Sequence, residues 1–212
     1  MSRAIRALIL AAGLVAGCSG PSVYYPTVRE QVISLSKGDL EAAGIAFITP
    51  STVTGQEQEK EAVALTFTDV LKTERPQLKV STLAQTLGAV NKAGFADIYK
   101  RMYDDYRDSG LFPAEALRRI GAATGMRYVA QLKLQNFSEN SKGRLGLLGL
   151  RLVETQYADV RLYMTVWDSR DGTVAWEAMQ ELRITRENAT EEPLMLRRVL
   201  ERSARELIAK LP

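Results

Sequence analysis

The chain has 212 residues, 46% of them hydrophobic, with 28 basic and 25 acidic side chains and a net charge of +3. It contains no histidine and a single cysteine, Cys18, which excludes Ser-His-Asp, Cys-His and histidine-based zinc chemistry and any disulfide within the chain. Two of the basic residues are Arg3 and Arg6; the remainder is close to neutral, so the concentrated basic face of a nucleic-acid binder is not expected.

Arg3 and Arg6 are followed by an apolar run from Ala7 to Ala16 and by small residues up to Cys18. Charged, apolar and small-residue regions in this order predict a secretory signal, and the run falls short of the roughly 20 residues that span a bilayer. The phrase Leu14-Val15-Ala16-Gly17-Cys18 resembles the bacterial lipobox. That resemblance implies a signal peptide over 1–17, diacylglycerol on the Cys18 thiol and an acyl group on the new amine. A buried CH₂ contributes about 0.8 kcal/mol and two or more chains anchor firmly. Ser19 after the cysteine resembles the signal for forwarding to the outer membrane, which implies a lipoprotein facing the periplasm. Cleavage before Cys18 leaves 195 residues (212 − 17), enough for one domain. Acylation also removes the last thiol, so no thiolate nucleophile or metal ligand remains.

From Ser19 to Thr27 the chain carries Pro21 and Pro26 and no apolar period, and it reads as an extended tether. Val28 to Leu40 is ambiguous, so the lipidated cysteine and tether are assigned to 18–40 and the folded domain to 41–212. Gly44 to Pro50 is a short apolar run closed by proline, a buried strand. Thr54 and Glu57 suggest a capping box for a helix carried by Val63, Phe67, Val70 and Leu71 and stopped by Pro76. Leu78 to Thr82 is a second strand. From Leu83 to Thr124 the spacing predicts three short helices broken at Gly94 and at Ser109-Gly110, with Pro113 in a first turn and Gly125 as a C-terminal cap.

Three alternating segments follow: Arg127 to Phe137, Tyr157 to Asp168 and Thr173 to Thr185. Each has the period of two of a half-buried strand. In the second, Val160, Leu162, Met164 and Val166 face one way and Asp159, Arg161 and Thr165 the other; in the third, Val174, Trp176, Ala178, Leu182 and Ile184 share a face. Ser169-Arg170-Asp171-Gly172 is the hairpin turn between them. A helix from about Thr190 carries the stripe Leu196, Leu200, Ala204, Leu207 and Leu211, widened by Val199 and Ile208. The expected fold is α/β (α+β): a mixed sheet with the order β-α-β-(α)3-β-β-β-α and helices packed on it.

Ile45 to Pro50, Arg119 to Val129 and Trp167 to Trp176 resemble the envelope lipoproteins whose α/β domain is shared with the TolB amino-terminal domain, a group that includes the curli-secretion (CsgG-like) lipoproteins and the activators of penicillin-binding proteins (LpoB-like). The resemblance covers Gly44 to Leu211 and implies membrane attachment, envelope-protein partners and room for self-association. A CsgG-like secretion subunit also needs a spanning hairpin of about 9 to 11 alternating residues per strand. Ser138 to Gln156 is too short for one and does not alternate cleanly.

Local chemistry is sparse. Gly143, Gly146 and Gly149 lack the Gly-Lys-Ser/Thr of a phosphate loop and fit a ribbon tip. Asp104, Asp105 and Asp108 lack calcium-loop spacing and fit a solvated helix face. Trp176 is expected in the core, while Trp167 is exposed or covered by a helix. Arg144, Leu145, Leu147, Leu148, Leu150 and Arg151 crowd into the link between two strands, and links are normally polar, so these six are the candidate contact residues for a partner. No catalytic residue, metal ligand or cofactor is indicated. The reading is an outer-envelope lipoprotein acting as a non-enzymatic binding or scaffold module. The alternatives are a cell-wall-active enzyme using carboxylates and, below it, a CsgG-like secretion subunit.

Overall fold

The computed structural model describes residues 23–147, 150–188 and 196–212, with side chains outside 139–156 and 186–188. Its elements in chain order are β1 (Val23–Val32), α1 (Asp39–Ala43), β2 (Ile45–Phe47), β3 (Ser51–Thr52), α2 (Glu57–Glu74), β4 (Val80–Ser81), α3 (Leu83–Lys92), α4 (Ala96–Ser109), α5 (Ala114–Thr124), β5 (Tyr128–Leu147), β6 (Leu150–Asp168), β7 (Thr173–Asn188) and α6 (Leu196–Ile208). The mixed sheet runs β1-β7-β6-β5-β2-β4, with β3 beside β5. β2 is parallel to β4 and β5, and β1, β7, β6 and β5 are antiparallel neighbours.

The expected α/β order is present with three additions, β1, α1 and β3. β1 corrects the tether: from Val23 on, the stretch read as a tether is the edge strand of the sheet, paired with β7 from Val23↔Thr185 to Val32↔Trp176. Nine of its ten residues are exposed, so it lacks the alternation that marks a half-buried strand. Pro26 fits because it lies on an edge. The Ala175 carbonyl accepts from Ile33, Ser34 and Leu35 N–H at 3.0 to 3.1 Å. The register, continued one step past Val32↔Trp176, puts Ile33 opposite Ala175, and ladder alternation from that pair turns the odd-numbered donors of β1 toward β7 and the even-numbered ones, Pro26 among them, away from the sheet. A proline there costs no ladder bond.

Helix boundaries follow local chemistry. α2 buries Val63, Phe67, Val70 and Leu71 and ends two residues before Pro76. The expected capping box is not formed: Gln56 is the N-cap, and the Thr54 hydroxyl instead donates to Glu59 Oε2 at 2.6 Å. A capping box does form at α3, where Thr82 Oγ1 accepts from Gln85 N–H at 3.2 Å and Gln85 Oε1 accepts from Thr82 N–H at 2.9 Å. Gly110 and Gly125 cap α4 and α5 in the left-handed region, at φ 75° and 70°. Pro113 is the N-cap of α5 and lies just before its first turn.

The sheet separates two cores. On one face α2 and α6 cover Ile45, Phe47, Tyr128, Leu132, Leu162, Met164, Trp176 and Leu182, all buried. On the other face α3, α4 and α5 cover only the end where β5 begins and β6 ends, enclosing Ile48, Met102, Phe112, Ile120, Val129 and Trp167. A β-bulge at Ala175, where the β6–β7 register shifts between Val166 and Trp167, brings Val174 opposite Trp167. Val174 therefore packs with the second core and not on the Trp176 face, as strict alternation expects.

Trp167 is covered by helices: its ring lies 5.4 Å from that of Phe112, edge to face, and its indole N–H donates to Gln131 Oε1 at 3.3 Å. α5 comes close to the β6–β7 hairpin because two glycines permit it. A Cβ on Gly121 would stand 2.3 Å from Ser169 Oγ, and one on Gly172 2.6 Å from Ala114 Cβ.

Candidate interaction surface

Beyond the helices, the second face of β1, β7, β6 and β5 has no covering element among the described residues. Alternation places Thr27, Glu181, Arg161 and Asn136 in one cross-strand row and Tyr25, Arg183 and Asp159 in the next, with Arg29, Met179, Tyr163 and Lys133 in a third. Arg161 Nη2 lies 2.6 Å from Glu181 Oε1, and Arg183 Nε donates to Asp159 Oδ1 at 2.7 Å. The hydrogen bond to Asp159 raises the pKa of Arg183 further. These pairs floor a shallow depression of about 630 Å³ edged by Tyr25 and Thr27. Alternation in β6 foretold Asp159, Arg161 and Thr165 on this face. Tyr25 to Arg29 were missed because an edge strand with nine of ten residues exposed has no pattern to distinguish it from a linker.

The candidate contact residues sit at the far end of the two longest strands. The segment read as a link is a continuation of the sheet: β5 and β6 stay paired through Leu145↔Val153, Gly146↔Arg151 and Leu147↔Leu150, with register shifts around Arg144. Leu148 lies outside the described residues, as does Cys18, and the side chains of Arg144, Leu145, Leu147, Leu150 and Arg151 lie outside them too.

Polar side chains inside the molecule serve packing. Tyr99 OH accepts from Thr49 N–H at 2.9 Å, lies 3.2 Å from Tyr103 OH, and Tyr103 OH donates to Thr49 O at 2.9 Å. Burial pushes both phenols upward, Tyr103 well above its ordinary value. The network ties the turn after β2 to α4. Arg127 donates to Asp168 Oδ2 through Nε at 2.9 Å and Nη2 at 2.6 Å, closing the start of β5 against the end of β6.

Glu115 and Asp171 are both held below the usual carboxylate range, Glu115 by hydrogen bonds from Arg119 and Arg118 and Asp171 by bonds from Thr173. A general acid needs the opposite direction. Among the described residues no three His, Cys, Asp or Glu side chains converge as a metal site, and no helix is long and apolar enough to cross a membrane. Asp104 and Asp108 lie on exposed turns of α4, paired with Arg107 at 2.9 and 3.7 Å.

The fold and its open face define a mixed α/β domain with a two-sided core. No protein-family model and no curated protein matches the chain. Solved structures with a similar course include the PelC dodecamer from Paraburkholderia phytofirmans, 17% identical over 88% of this chain and 94% of that chain with a TM-score of 0.44. Lipoprotein GNA1162 from Neisseria meningitidis is 14% identical over 79% of this chain and 98% of that one, TM-score 0.40. The LpoB C-terminal domain from Salmonella enterica is 12% identical over 66% and 82%, TM-score 0.38. All three TM-scores lie below 0.5, so the functional reading rests on this chain's own residues.

Proposed function

We propose that the protein is a membrane-anchored envelope lipoprotein, held by acyl chains on Cys18, that works as a non-enzymatic binding or scaffold module for an envelope protein complex. The observation that carries the reading is the open four-stranded face. It is broad, it bears Tyr25, Tyr163 and Met179 among charges largely paired across strands, and it is a docking surface in kind, since a small-molecule site is a concave, mostly apolar cleft. Paired charges are already partly desolvated and ordered, so a partner meets them at a lower cost than free ones. Arg144, Leu145, Leu147, Leu148, Leu150 and Arg151 are proposed as a second contact region at the ribbon tip.

A photo-crosslinker in place of Thr27 or Tyr163 tests the reading against the same reagent at Thr73, on the helical side. Adducts to one envelope protein from the two sheet positions, absent at Thr73, are expected. Release of soluble fragments from peptidoglycan by the purified chain, abolished by Asp159→Asn or Glu181→Gln, would replace this reading with the carboxylate-enzyme alternative.

A further inference from the structure

One end of the sheet carries two features that point the same way. β1 begins at Val23, and its first three residues, Val23, Tyr24 and Tyr25, are 45%, 42% and 60% exposed. Val23 stands in one cross-strand row with Thr185, Tyr157 and Asn140. From that row β5 runs on to Leu147, still paired with β6, a further seven steps in the direction that leads away from the helices α3 to α5.

Covalent geometry then limits where a bilayer can lie. Five steps separate Cys18 from Val23, a reach of at most about 18 Å at about 3.6 Å per residue. The seven steps from Asn140 to Leu147 extend about 24 Å at roughly 3.4 Å per residue. The ribbon is therefore longer than the anchor's slack, and a chain held by Cys18 brings the ribbon end to the membrane whenever its strands stand near the normal. The sequence of that end suits the contact. Leucine stands at 145, 147 and 150 of the paired tip, and arginine at 144 and 151 matches anionic headgroups.

We infer that the protein stands upright on the leaflet that holds its lipid, with the β5–β6 ribbon end entering the interface and Val23 within the anchor's reach above it. In that posture the open face of the sheet is vertical and exposed to partners, while the β6–β7 hairpin at Arg170 and Asp171 points away from the bilayer. The paired tip is too short to cross, since a spanning strand needs about 9 to 11 residues. This inference rests on the lipoprotein reading and specifies its geometry.

The test uses the full acylated chain in vesicles of phosphatidylethanolamine and phosphatidylglycerol. With Cys18 acylated, an introduced cysteine is the sole thiol, so Leu147→Cys and Val32→Cys place an environment-sensitive dye at the ribbon end and at the far end of the edge strand. Val32 is more than half exposed, and an unchanged melting temperature verifies that each variant keeps the fold. The expected result is a several-fold rise in emission and shielding from aqueous iodide at position 147, with neither at position 32. Equal quenching at both positions, or shielding at 32 alone, overturns the posture. Mass spectrometry of the same preparation separates the two readings: an acylated chain with both dyes in water defeats the posture alone, whereas a chain without acyl groups on Cys18 defeats the lipoprotein reading and the posture with it.

Discussion

Strand β6 faces two different environments along one backbone. Val160, Leu162, Met164 and Val166 lie under α2 and α6 and are all buried, while Asp159, Arg161 and Tyr163 alternate with them on the open face. The second side becomes a core again only at Trp167, where α4 and α5 arrive. From Ala158 to Val166 one side of the strand is therefore apolar, and the other switches from solvent to core within two residues. The difference shows that the helices decide which part of the sheet is structural and which part is free for recognition.

Substitutions on the two sides sharpen this contrast. Trp167→Ala empties the place where the second side is covered and should cost about 3–5 kcal/mol, with Leu162→Ala on the first side close behind at about 2–5 kcal/mol; urea denaturation midpoints measure both. If Trp167→Ala costs less than about 1 kcal/mol, α4 and α5 do not close a core over it.

Gly172→Ala tests the junction between the covered and open parts. Gly172 has φ 80°, and the added Cβ would come within 2.8 Å of Ala114 Cα, so a left-handed penalty of about 1–2 kcal/mol adds to overpacking of about 1–3 kcal/mol. A melting temperature lowered by several degrees is expected. A smaller change belongs to the tyrosine network under α4. Burial raises the folded-state pKa of Tyr103 and of Tyr99, so the unfolded chain releases these protons first. Stability is fully present below the unfolded value near pH 10 and falls as pH rises beyond it. Tyr103→Phe should cost about 1 kcal/mol at neutral pH and flatten the alkaline fall; an unchanged alkaline profile would count against the network.

The least effect is expected from Arg161→Ala, whose partner Glu181 is about as exposed as it is, at 48% against 45%. Exposed pairs contribute below about 1 kcal/mol, so thermal stability should be nearly unaltered while crosslinking at Thr27 and Tyr163 falls. A loss above about 2 kcal/mol would make the open face structural and would remove its case as a docking surface.

Much of this arrangement was legible in the sequence. The three helices α3 to α5, the 169–172 turn, the alternating strands and the stripe of α6 follow from periodicity, glycine and proline, which act within a few residues. What escaped depends on partners distant in the chain. β1 is a strand because β7 offers it an edge, and no alternation reveals that. The bulge at Ala175 is a register choice made between strands, so Val174 was assigned to the wrong side. The extension of β5 and β6 past Phe137 was obscured by glycines at 143, 146 and 149, residues that read as a loop until a paired strand supports them. Of the candidate contact residues, composition singled out the ribbon tip, whereas the open face needed the sheet order, which brings β1 beside β7.

Pro26 has a further consequence for how copies of the chain behave when crowded together. The outer rim of β1 offers donors at Tyr24, Val28, Glu30 and Val32, and the proline leaves a gap between the first two. A neighbouring strand seeking continuous pairing along this rim meets a missing hydrogen bond and the bulk of the ring, which is how exposed edges are commonly kept from templating one another. Pro26→Val restores the donor, and with Tyr24, Tyr25 and Val32 already exposed along the same rim, it turns a quiet edge into a nucleus for fibrous aggregation.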